Sequence, residues 1–210
     1  MDLKPVIILG NGGHAKVITD ILRFNNRDII GFTAPTEEVN YYDIQYLGGD
    51  NAVFQYNHRD VHLVNGIGST SSVIQRKALF EYFRRNNYVF SSVIHPNSTI
   101  SSTVKLGEGV QIMAGAIIQP FAQVADNTII NTSVSIDHDT QIGSHCHIAP
   151  GVTISGSVSV GDASHVGAGS TIIQNVKVGN STLIGAGSLV LKNIKSNSKA
   201  YGVPAKEVER

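Results

Sequence analysis

From Ile94 onward the chain repeats with a period of six. Stepping by six from Ile94 lands on Ile, Leu or Val seventeen times in succession and ends at Val190, with no insertion to break the phase. Four residues after each of these stands a residue that is nearly always small or β-branched, from Ser98 through Cys146 to Ile194. If roughly a quarter of residues are Ile, Leu or Val, a run of this length does not arise by chance. An amphipathic helix repeats at 3.6 and a half-buried strand at 2, so neither explains it. A β-sandwich of short strands is the alternative, but its turn spacing would vary.

The period predicts a solenoid in which each hexad makes one short strand and one corner. Three hexads then close a triangular coil of eighteen residues, with like residues of successive coils about 4.8 Å apart. The aliphatic residues fill the interior and the small ones fit beside the corners. Gly107, Gly143, Gly161, Gly167, Gly179 and Gly185 follow aliphatic positions and are expected at the bends. The period does not fix the hand of the coil.

The first ninety or so residues show no such phase. Pro5–Leu9 reads as a buried parallel strand, followed by the loop Gly10-Asn11-Gly12-Gly13-His14. Ala15–Phe24 has helical spacing, Asp28–Phe32 reads as a second strand, and Val61–Val64 as a third leading into Asn65-Gly66-Ile67-Gly68. Residues Ser71–Arg85 are expected to be helical, and Tyr88–Val93 to enter the solenoid as a strand. The expectation is two domains: a small α/β, Rossmann-like βαβαβ unit over 1–92 and a parallel β-helix with a C-terminal tail over 93–210. A glycine-rich loop between a strand and a helix lets phosphate or sugar approach backbone amides at a helix N-terminus. The sequence G-N-G-G-H departs from G-x-G-x-x-G, and a plain βα turn has the same form.

Sixteen Lys and Arg balance sixteen Asp and Glu, so the basic excess of a nucleic-acid binder is absent. A single cysteine, Cys146, excludes an intramolecular disulfide and fits a reducing compartment. No segment approaches about twenty apolar residues, and the N-terminal apolar run is too short for a signal peptide. The expectation is a cytoplasmic protein.

Within the repeat, His138 stands between Asp137 and Asp139, where a neighbouring carboxylate orients an imidazole and raises its basicity. Counting by eighteen places Gly156 directly under His138. A glycine there leaves room for a substrate carbonyl and offers a backbone N–H as an oxyanion donor. The same count stacks His165 on His147, a pair that could line a groove or bind a metal. Zinc held by three histidines, as in γ-class carbonic anhydrases, needs a histidine spacing that this chain lacks, so no metal is expected. Cys146 falls at a small-residue position and should pack inside.

Four motifs carry a resemblance that spans nearly the whole chain: G-N-G-G-H-A near the start, N-G-I-G at Asn65–Gly68, N-T-S-V-S-I-D-H-D at Asn131–Asp139 and G-V-P-A-K at Gly202–Lys206. In their order and spacing the chain resembles bacterial sugar O-acyltransferases of the sialic acid O-acetyltransferase type. That family includes the N-acetyltransferases of nucleotide-linked 4-amino sugars, as in the bacillosamine pathway. The resemblance implies a left-handed β-helix, acetyl-CoA as co-substrate and a homotrimer with active sites between subunits. It implies His138 as general base supported by Asp139, with Asn131 close by. It implies Gly12, Gly13, His14 and Gly68 on the nucleotide-sugar, and His147, Ala168 and Ala186 along the acetyl-CoA groove. Bacillosamine-type enzymes also carry an acidic pair after the second strand that contacts the nucleotide. Here Thr33 and Ala34 occupy that place and cannot make charged contacts. The expected reaction is N-acetylation of the 4-amino group of a nucleotide-linked 4-amino-4,6-dideoxy sugar in a ternary complex, with O-acetylation of a sialic acid or related cell-surface sugar as the alternative. A non-enzymatic scaffold is disfavoured by the D-H-D context. Lys192, Lys195, Lys199 and Lys206 are either coenzyme A phosphate contacts or ordinary solvated surface.

Overall fold

The computed structural model describes residues 4–40, 42–69 and 72–208. The chain divides into two compact units, the first containing the described residues up to Ser69 with Gln75–Val93, the second containing the run from Ile94.

The first unit is a four-stranded parallel sheet with two helices. In chain order it has β1 (Val6–Leu9), α1 (Gly13–Phe24), β2 (Ile29–Thr33), β3 (Tyr46–Gly48), a 3₁₀ turn (Asp50–Gln55), β4 (His62–Asn65) and α2 (Ile74–Arg85). The sheet order is β3-β2-β1-β4, so strand order reverses at β1. β1 and β4 are both buried along their whole length; β1 reads as a continuous apolar run, while β4 carries His62 and Asn65 at its ends. Loops at the C-terminal ends of strands flanking such a reversal form the crevice where open α/β sheets take ligands.

Three sequence expectations change here. β3 and the 3₁₀ turn were not expected: Tyr46–Gly48 is three residues long and only half-buried, so it lacks the apolar run that announces a strand. The helix expected from Ser71, which lies outside the described residues, runs from Ile74 to Arg85. The strand expected over Tyr88–Val93 is reduced to an isolated bridge between Leu63 and Phe90, followed by the two-residue strand Val93–Ile94.

The second unit winds into a left-handed parallel β-helix. Two-residue strands recur every six residues and pair in parallel with the strand eighteen ahead, as Gln123 with Gln141, Ser135 with Thr153 and His147 with His165. The aliphatic and the small columns are both interior, and Ile112, Ala116, Ile136, Cys146 and Val166 are all buried in one continuous core. Burying one such aliphatic side chain stabilises by about 1.5–3 kcal/mol. The repeat ends by shortening: Ile194 bridges to Val178, sixteen residues back. Ile194 thus takes an aliphatic position rather than the small one expected from its phase.

The bends are made differently from the expectation. The residues with left-handed backbone lie three after each aliphatic position and are mostly not glycine: Asn127, Ser133, Asp139, His145, Ser157 and Ala163 all have φ between 54° and 59°. An L-residue in that region costs about 1–2 kcal/mol. Each of these N–H groups is offset by a bond to the preceding coil, as Ser133 to Ala114 O (2.9 Å) and Ser157 to His138 O (2.9 Å). The glycines directly after the aliphatic residues serve close approach instead. A Cβ on Gly143 would sit 2.7 Å from the backbone nitrogen of Asp162, and one on Gly167 2.5 Å from that of Ala186.

Candidate active site

His138 sits at a corner, two residues after the interior Ile136, with side-chain exposure of 56%. The following residue, Asp139, adopts the left-handed conformation that the corner demands (φ 58°). Aspartate and asparagine tolerate that region well among non-glycine residues, so the bend accommodates a carboxylate at this place. Its Oδ2 lies 2.8 Å from His138 Nδ1. Asp137 Oδ1 accepts the His138 backbone N–H (2.8 Å). The Asp139 hydrogen bond, with the Asp137 charge behind it, raises the imidazole above its ordinary value. With the Nδ1 proton given to Asp139, Nε2 carries the lone pair.

Gly156 lies under this ring as the eighteen-residue count requires. A Cβ there would stand 2.7 Å from both Cε1 and Nε2 of His138. Its backbone N–H has no partner among the described residues. The corners differ in this respect. On one of them such N–H groups are capped by the next coil: Asp126 takes that of Glu108, Asp162 that of Ser144, and Asn180 that of Asp162, at 2.8–2.9 Å. At Gly156, Ala168 and Ala186 no side chain does so. The capped corner satisfies its own donors, and at the uncapped ones the N–H groups stay open.

Asn131 and His147 are brought together. Asn131 Oδ1 accepts the Thr132 N–H (2.8 Å), which orients the amide so that Nδ2 donates to His147 Nε2 (3.0 Å). His147 therefore carries its proton on Nδ1. His147 and His165 meet edge to face with centroids 4.9 Å apart, and burial lowers the His165 imidazole so that it stays neutral. His145 is engaged by Asn127 (3.0 Å). No group of three or more His, Cys, Asp or Glu among the described residues could hold a metal. Cys146 is buried, its thiol is pushed up to about 12, and its Sγ donates to Gly161 O (3.1 Å), which leaves it inert.

In the first unit, Gly12 and Gly13 open α1 with free space where their side chains would be. Gly68 abuts the start of the same helix: a Cβ on it would be 3.0 Å from His14 Cβ. Gly12, Gly13, His14 and Gly68 thus gather at the crevice beside β1. Thr33 and Ala34 do not join them. Both are buried, the Thr33 hydroxyl donates to Asp50 Oδ1 (2.7 Å), and Ala34 O accepts from Tyr46 (3.2 Å). The strand end turns them inward. Of the two exposed carboxylates here, Glu37 and Glu38, it is Glu38 that Asn11 Nδ2 approaches at 3.3 Å, while Asn40 Nδ2 holds Asn11 Oδ1 at 2.8 Å. Only the polar cluster after β2 signals Glu38 and Asn40 in the sequence, and it is displaced by four residues from the expected position.

A model of the PglD N-terminal domain matches residues 5–83, and one of the bacterial transferase hexapeptide (six repeats) matches residues 121–156. PerB from Caulobacter crescentus, solved in complex with CoA and GDP-perosamine, is 33% identical, with 98% of this chain and 97% of that one covered at a TM-score of 0.91. The chain belongs to the PglD-type hexapeptide-repeat acyltransferases. Another structure similar to it is the acetyltransferase domain of PglB from Neisseria gonorrhoeae with acetyl coenzyme A, 25% identical over 98% of this chain and 99% of that one, with a TM-score of 0.91. The UDP-N-acetylbacillosamine N-acetyltransferase of Bacillus subtilis is 34% identical over 116 residues, 53% of this chain. That match spans about half the length of the curated relative, 52% of it. The family accounts for both units of the chain, the PglD domain lying in the first and the hexapeptide repeats in the second.

Proposed function

We propose that this protein is an acetyl-CoA-dependent N-acetyltransferase acting on the 4-amino group of a nucleotide-linked 4-amino-4,6-dideoxy sugar. The single observation that carries the reading is the His138–Asp139 pair set over the open corner at Gly156. Relatives named as perosamine and UDP-N-acetylbacillosamine N-acetyltransferases favour an amine over a hydroxyl acceptor.

The acceptor amine adds to the thioester carbonyl as His138 Nε2 takes its proton. Asp139 holds the ring by Nδ1 and stabilises the imidazolium that forms. The Gly156 N–H stands ready for the oxyanion of the tetrahedral intermediate. Collapse expels the coenzyme A thiolate, and the imidazolium returns a proton to the sulfur. The product is an amide, and no covalent enzyme intermediate is needed. Asn131 positions His147, and the N–H groups at Ala168 and Ala186 suit the amide and carbonyl groups of the coenzyme's arm. In the first unit, Gly12, Gly13, His14 and Gly68 line the crevice that takes the nucleotide, with Glu38 within reach of its hydroxyl or N–H groups.

The assembly we propose is a cytoplasmic homotrimer with active sites between neighbouring subunits. Phe121 supports it. This residue is 61% exposed and shares the column of Asp139. It also holds φ 63°, a region unsuited to a bulky side chain. The enzymatic reading is tested by thiol release from acetyl-CoA on addition of UDP-, dTDP- and GDP-linked 4-amino sugars, with the 4-hydroxy sugars as controls. Release with one amino sugar and not its hydroxy counterpart is expected. Release only with hydroxyl acceptors would overturn N-acetylation in favour of O-acetylation.

A further inference from the structure

The first turn of α2 places a cation inside the first unit. Arg76 is 1% exposed. Its Nη1 donates to two carbonyls of the loop after β4, Asn65 O (2.9 Å) and Ile67 O (2.8 Å). The tie is reciprocal, because Asn65 Nδ2 donates to Arg76 O (3.0 Å). Asn65 Oδ1 in turn accepts the Ile67 N–H (3.2 Å). The loop Asn65–Gly68 is therefore clamped with carbonyls turned toward the guanidinium.

The clamped loop faces the glycine loop. The Gly66 N–H bonds to Leu9 O (2.8 Å), a Cβ on Gly10 would stand 3.1 Å from Ile67 Cδ1, and Gly68 abuts His14. The charge thus sits directly behind one wall of the crevice whose other wall is the open start of α1. A cation in a low-dielectric interior acts over a longer range than one in water. Burial draws the guanidinium down to about 9, so it keeps its proton at neutral pH.

We propose that Arg76 is a positioning residue for the diphosphate of the substrate, shaping the Asn65–Gly68 wall and supplying fixed positive charge behind it. The inference rests on the nucleotide-sugar reading of the first unit. It assigns the site's phosphate preference to a residue that does not touch the ligand, and it adds to the helix N-terminus a source of positive potential that the loop amides alone do not provide.

The test is calorimetric titration of the whole protein with UDP and GDP and with uridine and guanosine, for wild type, Arg76→Met and Arg76→Lys. Methionine keeps the length and removes the charge. Lysine keeps the charge and loses the two-carbonyl fork. Removing the charge is expected to weaken the preferred diphosphate about tenfold or more, while its nucleoside changes less than about twofold. Lysine should hold the diphosphate-to-nucleoside ratio within about threefold of wild type, and if the methionine variant does not fold, Arg76→Gln, which also removes the charge, takes its place with the same expected loss. Equal loss of diphosphate and nucleoside, or loss of the ratio in the lysine variant, overturns the inference and leaves Arg76 a scaffold residue. Wild-type protein that binds neither diphosphate overturns the nucleotide reading itself and this inference with it.

Discussion

At the residue scale, the proposed chemistry rests on His138 and what the corner gives it. A base acts in its neutral form, so activity should rise with pH through the His138 pKa. Because Asp139 and Asp137 raise that pKa, the acid limb of kcat/KM is expected above the ordinary histidine value of about 6.5. Asp139→Asn removes the largest contribution, so the limb should move to lower pH and the plateau should fall. An unmoved limb would assign the titration to another group. Gly156→Ala is a second probe. The Gly156 backbone does not need left-handed geometry, so alanine is allowed there, but its Cβ would meet the His138 ring at 2.7 Å. The ring must shift, and kcat should fall by about 10- to 100-fold with little change in Tm. Glu38 is legible only afterwards. Glu38→Gln should weaken nucleotide-sugar binding, read as a raised KM at unchanged kcat, and an unaltered KM would remove it from the site.

At the element scale, the hexad could be read because the solenoid has no other source of core. Every interior position repeats at a fixed interval, so sequence period and spatial period coincide. Counting by eighteen therefore placed Gly156 under His138 and His165 under His147. The corners were misread because glycine has two uses that look alike in a sequence. Gly161 and Gly143 permit backbone approach between coils, while the left-handed positions are filled more often by residues such as Asn, Ser, Asp and His held by inter-coil bonds than by glycine. The distinction makes a paired prediction. Gly161→Ala would press a Cβ against the backbone of the next coil, 2.6 Å from Asn180 N, and should cost about 1–3 kcal/mol. Gly169→Asn occupies a left-handed corner (φ 66°) with open space around it and should be near neutral. Thermal unfolding of the two variants decides it, since the reverse order would contradict this account of the corners. In the first unit no repeat helps. β3 is too short to show, and an arginine in an amphipathic helix reads as solvent-facing, so the burial of Arg76 left no trace in the pattern.

At the scale of the whole molecule, the exposed Phe121 is the residue that tests the proposed assembly. Its backbone would suit asparagine better, so Phe121→Asn should leave the single chain no less stable. If the ring packs against a neighbouring subunit, the variant should lose the mass of three chains in analytical ultracentrifugation and lose activity with it. A variant that keeps wild-type mass and rate would show the exposed ring to be incidental. No helix among the described residues is long and apolar enough to cross a membrane. A histidine poised on a β-helix corner is proposed to act as the base for acetyl transfer to a sugar amine. The most direct test is kcat for thiol release from acetyl-CoA with the preferred nucleotide-linked 4-amino sugar, measured side by side for wild type and His138→Ala. A loss of about a hundredfold or more is expected with the Tm retained, the usual share of a general base. A His138→Ala protein that turns over at the wild-type rate would contradict it.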